Sequence, residues 1–288
     1  MTGGTVTTSG STSRGLFASG ADADFTATGV SFMMAGQESH GAFAQSGARI
    51  ALNGVTISTT GENAAGATAR LGASLTMSGG SLLTTGIGAH GVDVESGSAV
   101  TAAGLRVTAT GPDASALFMT GPAGTLQTAN VSESKLTSAA APAIKVLGGA
   151  ANVQLAGAVV TGNGIWLSVA DGTAPGLLGL NADSSILRGA ALTTGTSTSN
   201  IVLQNGTVWN LTGDSNVTNL TNRESSILFS PPVGGVFKAL TTANYVGASG
   251  TQHVPWQRRF TLRQAHHQRR QRDRQLVLVH HQRRRSWR

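Results

Sequence analysis

The chain has 288 residues, room for one large domain or two ordinary ones, with 39 glycines and no cysteine. The missing thiols exclude a disulfide framework and a thiolate metal site, and no apolar run is long enough for a membrane-spanning helix. The net charge of +7 would suggest a phosphate-rich partner, but residues 252–288 hold eleven Arg against one acid, Asp273, while residues 1–251 hold nine Lys/Arg against twelve Asp/Glu. The basic character therefore belongs to a tail, and the body is mildly acidic, charge-poor and rich in Gly, Ala, Ser and Thr.

The opening "MTGGTVTTSGSTSRG" has neither the basic head nor the apolar stretch of a signal peptide. From there the body repeats on a 25-residue period. Gly29, Gly54, Gly79 and Gly104 form one column, and Gly36, Gly61, Gly86 and Gly111 a second. Gly41, Gly66 and Gly91 form a third, and Gly47, Gly72 and Gly97 a fourth. Such self-similarity is the signature of a solenoid. Gly4 lies 25 residues before Gly29, so the chain starts inside its own repeat, and residue 1 is not expected to be the natural beginning of the folded unit.

The residues between the glycines define the coil. Phe25, Ile50, Leu75 and Val100 share a column, as do Ala27, Leu52, Met77 and Ala102, and Phe32, Ile57, Leu82 and Val107. Apolar positions two apart, with Thr, Ser or charge between them, follow strand alternation rather than helical spacing. In "SAVTAAGLRVTATG" (98–111), Val100, Ala102, Leu105 and Val107 should point inward, and Thr101, Arg106 and Thr108 outward. Short strands joined by glycine corners predict an all-β, right-handed parallel β-helix of about ten coils. A leucine-rich-repeat horseshoe is the competing solenoid, but neither its consensus nor an amphipathic helix is visible.

After Gly111 the register loosens by insertions of one to three residues, and a longer loop is expected near Pro175. The chain then reaches "GTVWNLTGDSNVTNLTNRESSILFSPP" (206–232) and "FKALTTANYVGASGT" (237–251). The ordered set Trp209, Leu211, Ser215, Val217, Leu220, Ile227 and Phe229, then Phe237, Leu240, Asn244, Tyr245, Gly247 and Gly250, resembles the C-terminal end of a pertactin-like autotransporter passenger domain. With the Gly-rich coils upstream, the resemblance covers most of residues 1–251. It implies passenger coils over 1–205, a cap that assists folding during export over 206–251, and a surface-exposed or secreted adhesin or virulence factor. It further implies a host surface or matrix receptor and a β-barrel translocator in the outer membrane. The chain departs from the pattern by lacking a signal peptide, a barrel and a recognisable continuation after Thr251.

Parallel β-helices also include polysaccharide lyases and hydrolases, which group acids on an exposed strand face for general acid–base work. Only Asp22/Asp24 and Asp93/Glu95 sit two apart. Asp93 and Glu95 should share an outward face with Arg70 of the preceding coil, and a solvated face with a weak surface ion pair is the simpler expectation. In "GDSN" (213–216), Ser215 resembles an esterase or protease nucleophile motif, but it sits within the cap and reads as a turn residue. His40 and His90 lie two coils apart with Ala65 between them and read as corner histidines rather than metal ligands. Asn130, Asn205, Asn210, Asn216 and Asn219 begin Asn-x-Ser/Thr triplets, which an Asn- and Thr-rich chain carries without any glycosylation role. No catalytic, cofactor-binding or metal residue is assigned.

The tail, 252–288, ends "HHQRRQRDRQLVLVHHQRRRSWR" and contains no glycine. Its pentapeptide HHQRR occurs twice, and its codons read one nucleotide later allow strings such as Thr-Thr-Ser-Gly, the vocabulary of the body. An out-of-frame, disordered segment is the favoured reading. The alternative is a nucleic-acid-binding arm, in which arginines neutralise phosphates and Trp256, Phe260 and Trp287 stack on bases. For the whole chain, the expected function is that of a non-enzymatic passenger fragment acting by adhesion or as a stalk, with a β-helical polysaccharide lyase or hydrolase as the alternative.

Overall fold

A computed structural model describes residues 1–233 and 235–249, together with the backbone of the strands Thr251–His253 and Leu276–Leu278. The described chain is all-β: a parallel solenoid of about ten turns with about 25 residues per coil. Each early coil contributes one strand to each of three faces. Thr5–Thr8, Ser31–Met34, Thr56–Thr59 and Ser81–Thr84 begin the first sheet. Arg14–Ser19, His40–Gln45, Ala67–Arg70, Val92–Glu95, Leu117–Thr120 and Ile144–Leu147 form the second. Asp24–Thr28, Arg49–Asn53, Ser74–Ser78 and Ala99–Ala103 begin the third. Further along, Val159–Ala170 and Ile186–Thr193 run round a corner and serve the first and second sheets together.

The register follows the sequence period. Phe25, Ile50, Leu75 and Val100 are direct neighbours across the third sheet, and Phe32, Ile57, Leu82 and Val107 across the first. Their side chains, with the Ala27 column, stack into one continuous apolar core. Phe25 is the exception at 47% exposed, because only the coil of Ile50 covers it. Alternation holds in detail: Val100, Ala102, Leu105 and Val107 are buried, while Thr101 and Arg106 are exposed. Each coil thus buries its neighbour's apolar columns, and stability accumulates by nearest-neighbour stacking.

The glycine columns have two different causes. At Gly54 the corner needs a left-handed backbone, φ 59°, with open space where a Cβ would lie. At Gly61 φ is ordinary, but a Cβ would strike the carbonyl of Gly36 in the coil beneath. Positive φ, the reason expected from the sequence, therefore accounts for the columns of Gly54 and Gly72, whereas those of Gly61 and Gly66 exist because successive corners stack backbone on backbone.

Several of the residues that carry the passenger resemblance are inward positions of the last coils, while Asn244 and Gly247 are exposed. Trp209, Leu211, Val217, Leu220, Ile227 and Leu240 are buried. The Trp209 indole meets that of Trp166 edge-on at 5.9 Å and donates Nε1–H to the Gly189 carbonyl at 2.9 Å. Strands on either side of Gly206 belong to one ladder, since Ile186–Arg188 pairs with Val208–Asn210. Beyond it, Leu276–Leu278 pairs antiparallel with Leu240–Thr242. The rest of the segment read as out-of-frame and disordered, with Trp256, Phe260 and Trp287, lies outside the described residues. Among the described residues, no helix is long and apolar enough to cross a membrane, which says nothing of strands.

Candidate functional site: a slot on the second sheet

On the second sheet, one outward column of six residues breaks its own profile. In register it runs Phe17, Phe43, Thr68, Asp93, Phe118, Lys145. Three coil steps separate Phe43 from Phe118, about 14 Å at ~4.8 Å per strand. Between these aromatic walls the column drops to Thr68 and Asp93, so the surface sinks into a slot of about 350 Å³. Arg70 and Glu95 line one side, and Ala65 and His90 the other. Arg14, Glu38, His40, Asn63 and Gly88 complete the rim.

The walls are braced. The His90 ring stacks on Phe118 at 4.2 Å with planes 13° apart, and Lys145 Nζ lies 5.8 Å from the same ring. At the other end His40 leans on Phe43 at 5.1 Å, and the Arg14 guanidinium sits 4.4 Å over that ring. Arg70 reaches toward Phe43 from the next coil, 6.0 Å from its centroid. Such cation–ring contacts hold long side chains over an apolar surface while leaving their N–H groups free to meet a partner.

His40 opens the strand His40–Gln45, and His90 sits just before the strand Val92–Glu95. His40 Nδ1 accepts the Ala65 N–H at 3.2 Å and lies 3.3 Å from the Thr68 hydroxyl; His90 Nδ1 accepts the Ser115 N–H at 3.1 Å. Accepting at Nδ1 places the single ring proton on Nε2. Burial, then the charges of Arg14 and Arg70, lowers the His40 pKa to about 4; burial, then Lys145, does the same for His90. Neutral imidazoles are the form these bonds require. Among the described residues, no group of three or more His, Cys, Asp or Glu could hold a metal ion.

The carboxyl pair departs from its expectation as a solvated face. Asp93 points outward from its strand yet is only 8% exposed, because the slot floor lies beneath the walls of Phe118 and His90. Burial pushes its pKa well up, and the charge of Glu95 and a hydrogen bond to it add to the rise; Arg70 pulls the other way. Asp93 is thus held toward its protonated form. The anticipated Glu95–Arg70 pairing does not use the Arg70 Nε–H, which is buried without a partner, as is Asp93 Oδ1. An unmatched donor and an unmatched carboxyl oxygen therefore belong to two residues that line one polar slot.

The other candidates are apart from this site. Asp22 and Asp24 are exposed at a different corner. Ser215 opens the strand Ser215–Arg223 rather than sitting in a turn; its hydroxyl accepts the Ala191 N–H and donates to the Gly213 carbonyl. Asn219 belongs to a ladder, donating to Asn200 Oδ1 and accepting from Asn244 Nδ2, and Asn216 bonds both backbone groups of Thr193. Asn205 Nδ2 donates to Asp183. Sequence reasoning missed Arg14, Phe43 and Phe118; their signal was the interrupted aromatic column, visible only once outward positions are aligned coil by coil. Comparison of the chain with protein-family models, with curated proteins and with solved structures gives no match.

Proposed function

We propose that the chain is a non-enzymatic, surface-exposed binding solenoid of the autotransporter-passenger type, an adhesin or stalk, which meets its partner through the flank slot. The geometry of Asp93 and Glu95 carries this reading. Glycoside hydrolysis sets its two carboxyl groups about 5–9.5 Å apart, on opposite sides of the scissile bond. Here both project two residues apart from one strand, Val92–Glu95, onto the same outward face, rather than from opposite sides of a cleft. A stack of about ten coils at ~4.8 Å spacing also gives a stiff rod roughly 50 Å long, suited to holding a binding face away from a membrane. The inward residues of the last coils support the passenger comparison, and with it a location at the cell surface and delivery by a β-barrel translocator.

The test is attachment. Beads coated with the protein should adhere to host cells or matrix and be competed by soluble protein, with polysaccharides incubated alongside left uncleaved. Polysaccharide cleavage abolished by Glu95→Gln would replace this reading with the enzymatic one. That alternative has one observation in its favour: a carboxyl pushed toward its neutral form by burial, as at Asp93, is a feature of acid–base sites.

A further inference from the structure

We propose that the slot between Phe43 and Phe118 binds a carboxylated sugar, a uronate-type ring of an acidic saccharide. The inference rests on the binding reading above and names the ligand class of that site.

The backbone excludes the commonest way a β-sheet takes a partner. Ala67–Arg70 and Val92–Glu95, the strands of the floor, are each paired on both edges. A peptide strand has no edge to join there, so recognition must come from side chains. Those side chains are mostly polar, and the two phenyl rings stand at the ends rather than across the floor. An apolar ligand would leave Asp93 Oδ1 and Arg70 Nε as unmatched as they are without it, at the cost a buried polar group carries. A ligand rich in hydroxyl groups with one acidic group suits the polar and charged lining instead.

Charge selects the acid. The Arg14 and Arg70 guanidiniums, backed by the Phe43 ring, present planar donor forks suited to a carboxylate. Glu38 and Glu95 on the same rim offset them, leaving Lys145 over Phe118 as the surplus cation. That balance suits a monoanion better than a phosphate dianion. Glu38, Glu95 and Asn63 then accept or exchange hydrogen bonds with ring hydroxyls. The two walls, about 14 Å apart, bound a space for a single ring, with neighbouring sugars running out over the open flank.

The decisive experiment is calorimetric titration of the full chain with short oligomers of galacturonate, glucuronate and mannuronate, each as free acid and as methyl ester. The ester keeps the ring and removes the charge. At least one free acid should bind ten-fold or more tighter than its ester. Arg70→Gln should weaken it at least ten-fold. Lys135→Gln, on the first sheet, should leave binding unchanged. Where Arg70→Gln shifts the urea midpoint, Arg14→Gln gives the same reading. Equal binding of acid and ester, or no binding by any of the three series, overturns the assignment. So does equal binding by wild type and both arginine variants, which would place the saccharide on the Arg-rich segment after Thr251. Acid-selective binding with cleavage would uphold the ligand class and refute the non-enzymatic reading. Retained cell attachment without uronate binding would refute the ligand class alone.

Discussion

Acidification should loosen the slot, and the two histidines set the amount. Each accepts a backbone N–H at Nδ1, a bond that protonation abolishes and replaces with two opposed donors. Their pKa values fall from 6.5 in the unfolded chain to about 4 in the folded one. The folded state therefore binds these protons less well than the unfolded state. The stability they contribute is present above 6.5 and is lost as pH falls toward 4. Linkage over that window gives about 2 kcal/mol per histidine at pH 5.0, hence about 4 kcal/mol for both. The perturbation that isolates it is His→Asn, because Oδ1 of asparagine can still accept the backbone N–H. Lost ring packing on Phe43 or Phe118 lowers stability at every pH and drops out of the pH difference, as does the opposite titration of Asp93. Urea unfolding at pH 7.5 and 5.0 should show that His40→Asn and His90→Asn each lose about 2 kcal/mol less than wild type across the interval, and the double variant about 4 less. Parallel pH dependence in wild type and variants would refute the assignment of neutral, N–H-accepting imidazoles.

The remaining predictions concern packing and the carboxyl pair. Gly61→Ala places a Cβ against the Gly36 carbonyl and should cost about 1–3 kcal/mol by urea unfolding, whereas Gly54→Ala, with open space and only its φ of 59° to strain it, should cost about 1 kcal/mol. Leu82→Ala empties a core position 2% exposed in the first sheet and should cost about 2–5 kcal/mol. Asp93 binds its proton more tightly folded than unfolded, so that proton's contribution is full below the unfolded pKa of 3.8 and lost as pH rises through the folded one. Asp93→Asn should therefore gain melting temperature relative to wild type as pH is raised; a constant offset would contradict the buried carboxyl held toward its protonated form.

Much of the fold was legible because inward positions repeat. Phe32, Ile57, Leu82 and Val107 differ in type but share one requirement, to be apolar, and period plus alternation expose that requirement directly. The slot was not legible for the converse reason. Phe43, Thr68, Asp93 and Phe118 share no property, and the outer steps of their column, Phe17 to Phe43 and Phe118 to Lys145, are longer than 25 residues. Alternation also says only that Asp93 points outward. Outward meant solvent until the Phe118 and His90 rings were placed beside it. The glycines show a similar limit: periodicity finds the Gly61 column as readily as the Gly54 column, but only stacked backbones separate close approach from positive φ.

The central claim, that this chain meets its partner through the flank slot without turning it over, is tested most directly by cell attachment of full-chain variants. Arg14→Gln/Arg70→Gln should abolish attachment to host cells or matrix, Lys135→Gln on the first sheet should leave it intact, and no product of polysaccharide cleavage should accumulate. Undiminished attachment of the double variant, or cleavage that Glu95→Gln removes, would contradict it.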